Sequence, residues 1–228
     1  MNLRAPLAEF IGTFFLCFAG IAAILSNMPS VGAGLGIVGV ALAHGLALSI
    51  GVSAFGGVSG GHLNPAVTTG MLVTRRISLP NALVYIVAQL LGATAAALIC
   101  KAAFPADAVA AANLGIPLPA AWATTGVVVG MEFVMTFLLM TAVFGTAVDE
   151  RGRAVNIGGF AIGLTVTFDI LAGGAVTGAS MNPARSFGPA LVQGYWAWHI
   201  FYWIAPIAGA VAAALVYEHL ILEKAQGK

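Results

Sequence analysis

The tripeptide Asn-Pro-Ala occurs twice, as Asn64-Pro65-Ala66 and Asn182-Pro183-Ala184, at a spacing of 118 residues. Asn is a preferred helix N-cap and Pro is favoured at the first helical position, so each tripeptide reads as a helix start. One copy would be an ordinary cap. Two copies, each opening an apolar stretch of about 10 residues, or roughly 15 Å of helix, describe a pair of half-membrane helices. If each Asn oxygen caps its own helix, its carboxamide nitrogen is left free, and two NH2 groups face a lumen as donors. The helix starts also carry about half a positive charge each. At roughly 5 Å, with an effective dielectric near 20, the pair disfavours a monovalent cation by about 3 kcal/mol. Together with the cost of dehydration and a nearby fixed cation, this suits a narrow pore for neutral solutes.

Such helices need a frame, and the composition supplies one. The 228 residues are 60% hydrophobic and only 7% charged. Soluble domains carry roughly 25% charged residues, so most of this surface faces lipid. Nine basic and eight acidic residues leave no cationic face for a nucleic acid. Runs long enough to cross a bilayer fall near 7–26, 36–55, 82–103, 122–147, 156–173 and 197–219. Glu9 interrupts the first run and five more follow, so it is read as a mature span and not a signal peptide. Six crossings place Arg4, Arg75, Arg76, Arg151, Arg153, Lys224 and Lys228 on one side and Lys101 on the other. Both termini are therefore expected in the cytoplasm, in the plasma (inner) membrane of a prokaryote.

The repeat extends beyond the tripeptides. Glu9, Phe10, Thr13 and Phe14 answer Glu132, Phe133, Thr136 and Phe137, while Tyr85, Ala88, Gly92 and Ala93 answer Tyr202, Ala205, Gly209 and Ala210. Each copy holds three spans, so the second must enter from the opposite side and the two half helices meet near the midplane. Irregular backbone at that depth is tolerated only beside protein or a water-filled cavity, which points to a pore. The expected architecture is an all-α membrane protein with six transmembrane helices, two re-entrant half helices and an inverted three-span repeat. It forms one channel domain over 1–228, with a first repeat over about 1–105 and a second over about 122–228.

The motifs Ser59-Gly60-Gly61-His62-Leu63-Asn64-Pro65-Ala66-Val67 and Gly178-Ala179-Ser180-Met181-Asn182-Pro183-Ala184-Arg185-Ser186 resemble the aquaporin, or major intrinsic protein, family over nearly the whole chain. The resemblance implies a right-handed bundle, a homotetramer with one pore per subunit, and passive conduction of water or small neutral solutes. It maps the narrowest point onto His44, Ile170, Ala179 and Arg185. That set looks more like the filters of plant tonoplast intrinsic proteins than those of orthodox water channels, and adds ammonia and hydrogen peroxide as candidate solutes. Ser186, where glycerol channels of the family carry Asp, ranks a glycerol or urea facilitator second. The resemblance also makes Glu9 and Glu132 acceptors for the re-entrant loops, with His62 shaping the first loop.

The rival from another class is a proton-coupled transporter using Glu9 and Glu132, since ionisable residues inside spans are costly and usually functional. Their symmetry speaks for one structural role performed twice. Asp169, beside Ile170, has no such explanation and is expected to face a vestibule or a loop donor. His199 and His219 read as interfacial, while Trp196, Trp198 and Trp203 fit anchoring or packing equally well. Residues 104–121 form the longest exterior connection, which the resemblance implies can reach over the pore mouth. Cys17 and Cys100 lie in apolar runs without metal-ligand spacing, and no catalytic grouping or nucleotide loop stands out. No enzyme activity, metal or cofactor is expected.

Overall fold

The computed structural model describes residues 3–222, so Lys224 and Lys228 lie outside the described residues. It contains the helices α1 (Arg4–Ser26), α2 (Gly36–Ser59), α3 (Pro65–Val73), α4 (Leu79–Ala103), α5 (Ala106–Ala111), α6 (Thr125–Val143), α7 (Glu150–Arg153), α8 (Gly158–Thr177), α9 (Pro183–Gln193) and α10 (Phe201–Val216). Single π-turns, Phe144–Val148 and Tyr217–Ile221, extend α6 and α10. Among the described residues there is no strand. Six of the helices are long and apolar enough to span a bilayer. Helices α3 and α9, with 9 and 11 residues, are not. The segment before α10, expected to be helical from 197, is instead a run of turns, and the 104–121 connection carries α5 and a 3-10 turn, Asn113–Gly115.

Large apolar side chains remain exposed at four-residue spacing, as Leu42, Leu46 and Ile50 on α2 and Leu83, Val87 and Leu91 on α4. Such stripes would be a liability in water and are the faces of a protein solvated by lipid or by another subunit. Inward faces use small residues, because lipid gives no hydrophobic drive and close backbone approach must supply the contact. A Cβ at Gly92 would strike the Phe10 carbonyl, joining α4 to α1, and one at Gly209 would strike the Phe133 carbonyl, joining α10 to α6. Helices α2 and α8 approach through Gly45 and Gly163, each against the other helix. Half helix α9 reaches α4 through Gly188 on the Ala93 backbone, and α3 reaches α10 through Gly70 beside the Ala210 carbonyl. The paired contacts fall at repeat-equivalent positions.

The two ends of the bundle differ in chemistry. At one, Arg76 Nη2 lies 2.6 Å from Glu218 Oε2, tying the segment after α3 to the end of α10. On the same face Asp149 accepts from Arg151 and from the Tyr217 hydroxyl, and Arg151 donates to the Ile221 carbonyl. These bonds clasp the α6–α8 connection onto the last span. At the other end Lys101 donates to the Val192 carbonyl, and His199 sits half-buried among Trp196, Trp203 and Phe187, accepting from Trp203 Nε1 at 2.9 Å. Burial pushes the His199 imidazole below its ordinary value, which fits its acceptor role.

The Arg151 guanidinium holds the Asp149 carboxyl down at about 2. A depressed carboxylate contributes stability above its unfolded value that is lost only as pH falls through the folded one, so the clasp stays closed between about pH 5 and 8. Replacing Asp149 by Asn should therefore speed tryptic cleavage at Arg151 and Arg153 at every pH in that range, read by mass spectrometry. Cleavage at the wild-type rate would mean that the clasp does not restrain the connection.

Candidate pore and its constriction

Asn64 and Asn182 take extended backbone conformations, and each caps the half helix that follows it. Asn64 Oδ1 accepts from Ala66 N at 2.8 Å, and Asn182 Oδ1 accepts from Ala184 N at 3.0 Å and Arg185 N at 3.3 Å. The carboxamide nitrogens are not left free as the sequence suggested. Asn64 Nδ2 donates to the Met181 carbonyl at 2.8 Å, and Asn182 Nδ2 donates to the Leu63 carbonyl at 2.9 Å. Each NH2 carries two hydrogens, so one braces the opposite loop and the second remains for the lumen.

Leu63 and Met181 hold φ near +51° and +53°, a region non-glycine residues rarely occupy. Two buried carboxylates hold them there. Glu9 accepts from Ser59 Oγ (2.6 Å), His62 N (3.0 Å), Leu63 N (2.6 Å) and Gln89 Nε2 (2.7 Å). Glu132 accepts from Thr177 Oγ1 (2.7 Å), Ser180 N (3.0 Å) and Met181 N (2.8 Å). The Tyr85 and Tyr202 hydroxyls brace the same loops by donating to the Ser59 and Thr177 carbonyls. Behind the asparagines, His62 Nδ1 pairs with Thr68 Oγ1 at 3.2 Å and Ser180 Oγ pairs with Ser186 Oγ, so unlike residues do the same work in the two copies.

The cavity between the loops is narrow. About 30 Å³ is open to the centres of water-sized molecules, and one water requires roughly 10–15 Å³ by that measure, so only a few waters fit. His44, His62, Asn64, Ile170, Ala179, Asn182 and Arg185 all lie on its wall. Pro65, Ala66, Pro183 and Ala184 do not reach the wall; they are buried behind the asparagines, where they fix the helix starts. Wider spaces adjoin both ends. One of about 520 Å³ shares Ile170 with the narrow part, and one of about 270 Å³ shares His62 and takes in Arg76 and Arg153. The narrow space therefore lies between the two wider ones, sharing lining residues with each.

On the cavity wall Arg185 is buried at a helix start. Its Nη1 donates to the Gly115 carbonyl at 2.6 Å, its Nη2 lies 3.4 Å from His44 Nε2, and its Nε has no protein partner. His44 Nδ1 lies 2.8 Å from the Val40 carbonyl, which can only accept. That nitrogen therefore carries the proton, and Nε2 presents a lone pair toward the guanidinium. Asp169 does not face the outer space or a loop donor as expected: it is buried, and its Oδ2 has no protein partner.

A sequence model of the major intrinsic protein family matches residues 1–217. The chain belongs to that family. Among its relatives are Aquaporin TIP4-4 of Zea mays, 47% identical over 99% of this chain and 88% of that one. Aquaporin TIP1-2 of Zea mays is 47% identical over 96% and 86% of the two chains. Probable aquaporin TIP3-2 of Arabidopsis thaliana is 43% identical over 97% and 85%. The solved structure of the aquaglyceroporin from Plasmodium falciparum superposes with a TM-score of 0.85 over 97% of each chain at 24% identity, which shows a shared fold.

Within this major intrinsic protein, three contributors escaped sequence reasoning. The Gly115 carbonyl is a backbone atom that any residue could supply. The Val40 carbonyl, which sets the His44 tautomer, is another. Gln89 could have been found, since a lone amide in an apolar span needs a partner, and its repeat-equivalent is Pro206.

That difference separates the two carboxylates. In a Glu9→Gln variant, Gln89 can turn its unpartnered Oε1 toward the new NH2. In Glu132→Gln the new NH2 confronts the backbone N–H groups of Ser180 and Met181, and the one acceptor in reach, Thr177 Oγ1, already accepts from Ala179 N, so a buried donor is poorly met at about 1–3 kcal/mol. Thermal unfolding in detergent should show Glu132→Gln as the more destabilised of the two; the reverse order would overturn this account.

Proposed function

We infer that this major intrinsic protein is a passive channel conducting water in single file, with ammonia and hydrogen peroxide as further neutral solutes. The observation that carries the reading is a narrow cavity with room for only a few waters, flanked by two wider spaces that share its lining, whose wall carries Asn64, Asn182 and the buried Arg185. Asn64 and Asn182 offer one hydrogen each and break the chain of waters where two helix starts converge. Arg185, always charged, stands on the wall of the narrow part, where it repels cations, with its Nη1 and Nη2 held by the Gly115 carbonyl and His44 Nε2. His44 gives an acceptor, Ile170 an apolar wall and Ala179 a short side that leaves the opening wide. The names of the plant relatives, all aquaporins, agree with this reading.

The chain is read as one channel domain of two inverted repeats, 1–105 and 122–228, assembled as a homotetramer through part of its exposed apolar stripes. Membership of the major intrinsic protein family supports reading it as a channel rather than an enzyme. Arg75, Arg76, Arg151 and Arg153 gather at one end, which by the positive-inside rule puts that end and both termini in the cytoplasm. The expected prokaryotic plasma membrane runs against the plant origin of these relatives, and is set aside.

The carboxylates at the centre of the transporter alternative are each occupied by three or four donors, which argues for a structural role. The glycerol alternative draws nothing from the aquaglyceroporin, whose likeness at 24% identity is one of fold.

The test is stopped-flow light scattering on proteoliposomes under an impermeant osmolyte, then under glycerol and ammonium gradients, with empty liposomes as reference. Fast water flux with little glycerol entry is expected. No water flux above empty liposomes, or uptake driven by a pH gradient, would overturn the reading. An Ala179→Phe variant should lose flux of larger solutes more than of water; equal losses for all solutes would remove Ala179 from the constriction.

A further inference from the structure

We propose that Gly20, on α1, is a positioning residue for the constriction: the side chain it lacks is the space in which the His44 ring sits. This rests on reading His44 as part of the filter. Gly20 is buried and not on the cavity wall. A Cβ built on it would overlap Nε2, Cδ2 and Cε1 of His44, three of the ring's five atoms, including the one that faces Arg185.

The ring has nowhere to retreat. Nδ1 is tied to the Val40 carbonyl on its own helix, and Nε2 faces Arg185 Nη2, whose sister Nη1 is fixed by the Gly115 carbonyl. Gly115 in turn lies against Ile21 and Ile24 of α1. The first helix therefore touches the His44, Arg185 and Gly115 chain at both ends, through Gly20 at one and through Ile21 and Ile24 at the other. A methyl group at position 20 would move the imidazole toward the lumen or away from the guanidinium.

Gly20 differs from the glycines that join helices backbone to backbone, and resembles Gly12 under Leu63 and Gly173 under Met135 in admitting a side chain. Gly92, Gly188 and Gly209 admit a neighbouring backbone, whereas Gly20 admits a functional side chain. The repeat makes the exchange visible. With Glu9 matched to Glu132 and Gly45 to Gly163, Gly20 corresponds to Val143 and His44 to Ile162. Val143 and Ile162 share the wall of the narrow cavity as two side chains of middling size. In the first repeat the same two positions hold a ring and a hydrogen. A larger group at one position is offset by a smaller one at the other.

The experiment measures water and ammonia permeability of proteoliposomes holding wild type, Gly20→Ala, His44→Ala, the double variant and Gly92→Ala, each normalised to the amount of folded protein. Alanine is the better helix former, so helix propensity cannot account for a loss in Gly20→Ala. The expected result is a change of about tenfold in the ammonia-to-water ratio for Gly20→Ala, the scale of a methylene in a selective pocket. The double variant should match His44→Ala alone, and Gly92→Ala should keep the wild-type ratio. If Gly20→Ala does not fold, recovery of folded protein in the double variant supports the proposal, and failure of both overturns it. An unchanged ratio in Gly20→Ala, or one that adds to the effect of His44→Ala, also overturns it. An unchanged ratio in His44→Ala instead defeats the filter reading on which it rests.

Discussion

Everything at the centre of this molecule depends on two buried carboxylates. Backbone that leaves a helix at mid-membrane depth strands its N–H groups where no water can meet them. The loops that end at Asn64 and Asn182 do this twice, and Glu9 and Glu132 receive the stranded donors. Burying a carboxylate costs several kcal/mol, and three or four charge-assisted bonds at about 1.5–3 kcal/mol each are of the size needed to offset it. The same bonds hold Leu63 and Met181 at positive φ, which turns their carbonyls toward the opposite loop.

Those carbonyls explain why the asparagines work as a pair. Each amide nitrogen reaches the carbonyl of the other repeat, so neither half helix can move without breaking a bond to its mate. The junction of the two half helices is therefore a locked joint with one hydrogen of each amide assigned to structure. A donor whose neighbour atoms are fixed needs no reorganisation when a water arrives. That suits fast passage, where each solute must be held in a defined orientation without being bound tightly.

The frame was legible in the sequence because its causes are periodic. Span length, charge scarcity and the 118-residue shift of the tripeptides require no knowledge of contacts, and they placed six spans, two half helices and the carboxylates. What stayed hidden depends on three-dimensional proximity through atoms that carry no residue identity. The Arg185 bond to the Gly115 carbonyl joins positions 70 residues apart through a backbone atom. Gly20 looks in sequence like one more glycine in an apolar helix, and only the ring filling its missing side chain distinguishes it. The asparagine nitrogens were misjudged for a related reason: local capping rules account for the oxygen, while the partner of the nitrogen lies in the other half of the chain.

The repeat also shows what duplication leaves undone. His44, Ile170, Ala179 and Arg185 correspond, one half to the other, with Ile162, Val52, Gly61 and Val67, and all eight lie on the wall of the same narrow cavity. On the proposed reading of these residues as a filter, the repeat offers two equivalent places for a constriction, and only one of them carries an imidazole and a guanidinium. Barriers in series add as resistances. A second polar filter identical to the first would double the resistance to every solute and leave the ratio between any two solutes unchanged. Flux would fall with no gain in discrimination, so an apolar counterpart, which offers waters no donors to linger on, is the arrangement that keeps both selectivity and speed.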